Sequence, residues 1–73
     1  MTEALKPGTD VVWRWGAHRA RGRVEQVFTR PVSRTIRGAR VRRNASEARP
    51  AYLVTQPDGG YVLKSHSELE RLQ

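Results

Sequence analysis

The chain has 73 residues, no cysteine, fourteen basic residues against seven acidic ones, and a formal net charge of +7. That length sets one small domain with a thin core, and it leaves no space for an enzyme cleft with its supporting shell of residues. Without cysteine there are no disulfides and no thiolate chemistry, and no apolar run approaches the ~18 residues that span a bilayer.

The charge is local. Eleven of the twelve arginines lie between Arg14 and Arg49, where only Glu25 and Glu47 are acidic, so that stretch carries +9 and the two ends together −2. Such a bias speaks about partners, and first about a polyanion. Arginine outnumbers lysine twelve to two, as a GC-rich genome would write on any solvated surface. That habit explains arginine over lysine but not the missing acids.

Residues 1–7 read as a flexible lead-in and 8–72 as a single domain, with Pro7-Gly8 a turn signal between them. Met1 to Pro7 has no apolar stretch of the signal-peptide kind, so a cytoplasmic location is expected. From Asp10 to Trp15 the chain alternates, with Val11, Trp13 and Trp15 on one face, which predicts a strand. Gly16-Ala17-His18 breaks it. Arg19 to Thr29 is the second strand. Strict alternation cannot put both Val24 and Val27 inside, so a bulge or sharp bend is expected near Glu25-Gln26.

Pro31 resets the chain, and Val32 to Arg42 reads as a hairpin with Gly38 supplying a positive φ at its tip. Asn44 to Pro50 is a polar connection in which Asn44 and Ser46 bond to local backbone. Ala51 to Gln56 and Tyr61 to Lys64 are further strands, separated by the Pro57-Asp58-Gly59-Gly60 turn. Ser65-His66-Ser67-Glu68 fits a capping box, so a single helical turn should start there, with Leu69 and Leu72 covering one end of the fold. Five short strands, turns every ~8–12 residues and a terminal helical turn predict a small all-β barrel. Its expected core is Val11, Trp13, Val24, Val27, Ile36, Val41, Tyr52, Val54, Val62 and Leu69.

Several stretches in order carry a resemblance: Gly8-Thr9-Asp10-Val11-Val12-Trp13-Arg14-Trp15-Gly16, Gly22-Arg23-Val24-Glu25-Gln26-Val27, Thr35-Ile36-Arg37-Gly38, Arg43-Asn44-Ala45-Ser46-Glu47, Pro50-Ala51-Tyr52-Leu53-Val54, and Val62-Leu63-Lys64-Ser65-His66-Ser67-Glu68-Leu69. Together they resemble the hypervirulence-associated Tudor-type domain, a family found in bacteria and fungi. The likeness runs from about Lys6 to Leu72. It implies an SH3-like or Tudor-like barrel, and it brings no ligand or mechanism with it.

The residues themselves suggest a binding surface. Arg34, Arg37 and Arg40 sit on or beside the expected hairpin tip, Arg42 and Arg43 follow, and Arg19, Arg21 and Arg23 line the start of the second strand. Guanidinium forks pair bidentately with phosphate oxygens, and exposed rings offer stacking faces to unpaired bases. Trp15 and Tyr61 are the aromatic residues assigned to stacking, or to a cation-binding cage with Asp58 or Asp10 as its acid; Trp13 and Tyr52 are assigned to the core. His18 and His66 read as surface or capping residues, and no metal ligand set, catalytic set or cofactor motif is expected.

The expected function is non-catalytic binding of nucleic acid, RNA or single-stranded DNA. The alternative is a protein-interaction module that takes a peptide or an acidic protein. Neither a membrane nor a small-molecule substrate is expected as partner.

Overall fold

The computed structural model describes residues 4–72. Its strands are β1 (Asp10–Trp15), β2 (His18–Phe28), β3 (Val32–Ile36), β4 (Ala39–Arg43), β5 (Ala51–Thr55), β6 (Tyr61–Ser65) and β7 (Glu70–Arg71). They form an antiparallel five-stranded sheet in the order β6-β5-β2-β1-β7 and a separate β3-β4 hairpin. The all-β expectation holds, but the five-stranded closed barrel does not: there are two sheets, and they do not close.

The reason lies at the end of β2. After Phe28 the chain turns through Thr29, Arg30 and Pro31, and proline has no N–H with which to continue a ladder. β5 then takes the place beside β2, and the hairpin packs against β6 instead. The short β7 pairs Glu70 with Val12 and Arg71 with Val11, an edge that no alternation in the sequence announces.

The expected bend is a bulge. Val24 pairs with Val54 and Gln26 with Leu53, which leaves Glu25 unmatched. The extra residue turns Val24 and Val27 toward one side, where Val24 is buried and Val27 half-buried against it.

β5 is buried on both faces. Tyr52 and Val54 join Val11, Trp13, Val24 and Leu69 in the main core. Ala51 faces the other way and packs with Val32 and Leu63 beneath the hairpin. Val32, Ala51 and Leu63 are therefore core residues that single-face alternation missed, while the expected core residues Val27, Ile36, Val41 and Val62 are half-buried.

Gly22 of β2 sits against the end of β5. A Cβ there would stand 2.5 Å from the Thr55 carbonyl oxygen and 2.7 Å from Val54 Cγ1. A side chain cannot fit without parting the two strands.

Of the expected lead-in 1–7, residues 1–3 lie outside the described ones. At Leu5 the chain already packs on the core, and its N–H donates to the buried Tyr52 hydroxyl at 3.0 Å. That hydroxyl also lies 2.7 Å from His66 Nδ1. With Leu5 donating to the phenol oxygen, the phenol's own proton can point at the imidazole. His66 thus does more than cap: it satisfies a polar group in the core. Burial pushes the Tyr52 phenol up from its ordinary pKa, against the opposing pull of the Leu5 N–H. The turn that begins at Ser65 is a single 3₁₀ turn, His66–Glu68, closed by the Glu68 carboxylate accepting the Ser65 N–H at 2.7 Å.

Candidate functional site

The hairpin tip is a two-residue loop between the paired residues Ile36 and Ala39. Arg37 has φ +52° and Gly38 φ +79°, the two positive values that mark a type I′ turn. Gly38 is therefore the residue the turn demands. Arg37 is not, because a left-handed backbone costs a side-chain-bearing residue ~1–2 kcal/mol, and asparagine or glycine usually takes that position. Arg37 Nη2 lies 3.7 Å from Asp58 Oδ2. Both side chains are mostly exposed, so that pair contributes only ~0.2–1 kcal/mol and does not fully offset the strain.

Asp58 is held by its own turn. Gly59 N–H donates to Gln56 O at 2.9 Å, and Gly60 N–H donates to Asp58 Oδ1 at 2.8 Å. The tip of the Arg37 guanidinium lies over Gly60, where a Cβ would stand 2.8 Å from Nη2.

Two open depressions meet at this point. One, of about 540 Å³, is walled by Trp15, His18, Arg19, Arg37, Asp58 and Tyr61, among others. The other, of about 580 Å³, has Arg34, Arg37, Leu53 and Tyr61 in its wall. Arg37, Tyr61 and Ile36 border both and form the ridge between them. Trp15 is 67% exposed and Tyr61 44%, so both rings present area to solvent in a protein this small.

The structure thus brings Trp15, Tyr61, Arg19 and Arg37 to one depression, with Arg34 across the ridge. Asp58, one of the two acids considered for a cage, is in the same wall, whereas Asp10 lies in a different crevice beside Arg21 and Arg23. The other arginines spread out. Arg21 and Arg23 pair in register with Val12 and Asp10 on the outer face of the large sheet. Arg40 and Arg42 pair with Thr35 and Ser33 on the outer face of the hairpin.

Several of these charges are already partnered: Arg19 with Glu70 at 3.6 Å, Arg23 with Asp10 at 3.3 Å and Arg43 with Glu68 at 3.0 Å. Among the described residues, Arg21, Arg34, Arg40 and Arg42 face no acid within ion-pair distance. Arg34 instead lies over the Phe28 ring, 5.0 Å from its centroid.

Glu68 is the clasp between the two sheets. It takes Arg43 of β4 at 3.0 Å and Lys64 of β6 at 3.7 Å. Burial pushes its carboxyl up, but the Ser65 N–H, the Arg43 hydrogen bond and the charges of Arg43 and Lys64 outweigh this and hold it below the ordinary carboxylate range. Neither this clasp nor the role of Lys64 was legible beforehand; the S-x-x-E spacing signals only the backbone half of Glu68's work.

A small β domain with an aromatic and basic concave face is the build of a binding module. Residues 8–69 match the hypervirulence associated proteins TUDOR domain, and the chain belongs to that family. As a Tudor-type domain it is a small binding module, of a kind generally non-catalytic. No curated protein and no solved structure matches the chain. Among the described residues, no helix is long and apolar enough to cross a membrane.

Proposed function

We propose that residues 8–72 form a unit that binds single-stranded nucleic acid, RNA or DNA, with the cytoplasm as its setting. One observation carries the reading: the exposed Trp15 and Tyr61 rings share a depression with Arg19, Arg37 and Lys64 on a chain of net charge +7. Ring faces stack unpaired bases whatever their sequence, and guanidinium groups neutralise the phosphates between them. The arginines on the outer faces of the two sheets would extend the attraction beyond the site and steer a polyanion toward it.

The test is fluorescence anisotropy with labelled 12-nucleotide RNA and DNA of one sequence at several salt concentrations. Four neutralised phosphates predict a log–log slope of about −2.8 on a single strand. Tighter binding of the RNA assigns a role to the 2′-hydroxyl; equal binding assigns none. Trp15→Ala should weaken binding with the fold intact, since the ring is mostly exposed. Arg37→Glu combined with Arg40→Glu should abolish it. Absence of binding at low salt, or capture of an acidic protein that Trp15→Ala leaves unchanged, would overturn the reading.

A further inference from the structure

We propose that Arg37 is a phosphate clamp set between two neighbouring open depressions, so that the site takes a two-nucleotide step of a single strand. The inference rests on the nucleic-acid reading above and assigns the geometry of the ligand within it. The wall shared by the two depressions is made by Ile36, Arg37 and Tyr61. A strand crossing that wall would lay one base on each side and bring its phosphate to the wall, to which Arg37 belongs.

Three features of this chain hold the guanidinium there. Its backbone has φ +52°, a conformation that side-chain-bearing residues rarely adopt. The missing side chain at Gly60 leaves room for the tip of the guanidinium, since a Cβ there would stand 2.8 Å from Arg37 Nη2. Asp58 supplies a weak, exposed counter-charge at 3.7 Å, which a phosphate could replace. A left-handed arginine in a turn that asparagine suits better is a local rule broken, and such breaks concentrate where binding requires them.

The clamp and a merely structural tip predict opposite outcomes. Thermal midpoints and anisotropy with labelled 12-nucleotide oligouridylate should be measured for the wild type, Arg37→Asn, Arg37→Lys and Gly60→Ala. Arg37→Asn puts the favoured Asn-Gly pair in the turn, so the midpoint should hold or rise while affinity falls about tenfold and the salt slope becomes shallower by about 0.7, the increment for one phosphate. Arg37→Lys should keep the slope and lose affinity with the fork. Gly60→Ala should lose affinity with every charge still present, because its Cβ displaces the guanidinium.

A lower midpoint in Arg37→Asn, or unchanged affinity in it or in Gly60→Ala, would overturn the clamp while leaving the nucleic-acid reading standing. A wild type that fails to bind overturns that reading and the clamp with it. As a competitor, the dinucleotide UpU should displace the labelled strand better than uridine 5′-monophosphate, and equal competition would overturn the two-base arrangement.

Discussion

The two sheets follow different rules. In the five-stranded sheet the large side chains Val11, Trp13, Val24, Tyr52 and Val54 are buried, and a glycine stands where the strands come too close for anything else. In the hairpin only Val32 is buried, and Arg34, Arg37, Arg40, Arg42 and Arg43 crowd ten strand residues and a two-residue loop. The large sheet is the framework and also carries Trp15, Arg19 and Tyr61 of the site, while the hairpin is presentation almost throughout. The hairpin borrows its stability from the framework through Val32 on Ala51 and Leu63, and through Arg43 on Glu68. So small a chain carries so dense a charge because its strand arginines sit on the hairpin and on the outer face of the large sheet, where they cost the core nothing.

The comparison breaks most sharply at Gly22 and Gly38. Gly22→Ala forces a Cβ against backbone, with the Thr55 oxygen 2.5 Å away, and should destabilise the whole fold by about 3 kcal/mol. For a domain of this size that is a fall of roughly 12–24 °C in thermal midpoint. Gly38→Val meets no neighbour, because nothing lies within 4 Å of its Cβ position; only the backbone at φ +79° objects, at a cost of ~1–2 kcal/mol. Hydrogen exchange would separate the two. Gly22→Ala should raise exchange throughout β1, β2 and β5, and Gly38→Val mainly in β3 and β4. Exchange raised evenly across both regions in Gly38→Val would mean that the hairpin and the sheet unfold as one element.

Much of the framework was legible in the sequence, and the physical reason is local. Alternation marked β1, Pro57-Asp58-Gly59-Gly60 marked its turn, and the mismatch between Val24 and Val27 demanded the bulge at Glu25. The way the sheets are arranged was not legible, because it depends on which strand pairs with β2 across the hairpin, and no residue states that choice. The second core cluster was missed for the same reason: Ala51 and Leu63 count as core only once β5 is known to be covered on both faces. At the site, Trp15 and Tyr61 were identified from residue type, and their convergence with Arg19 and Arg37 is tertiary. The arginines are one cluster in the sequence, yet register puts Arg21 and Arg23 on the outer face of one sheet and Arg40 and Arg42 on that of the other. The left-handed arginine had no signal of its own beyond its place before Gly38.

The smallest expected effect tests the clasp that joins the two regions. Glu68 is held ionised in the folded protein below the ordinary carboxylate range, so its contribution is fully present above that range and is lost as pH falls through the lowered folded value. Glu68→Gln keeps an acceptor for the Ser65 N–H but gives up the charge facing Arg43 and Lys64. Near neutral pH the variant should melt a few degrees lower, modestly because the carboxylate is partly exposed. As pH falls below the ordinary carboxylate range and through the lowered folded value the gap should close, since the wild type then loses the same charge. Exchange in β3 and β4 should rise while β1 and β2 stay protected, because the clasp ties the hairpin to β6 and forms no ion pair with β1 or β2. A gap that stays constant with pH would remove the charge from the explanation and leave the Val32–Ala51–Leu63 contact as what holds presentation to framework.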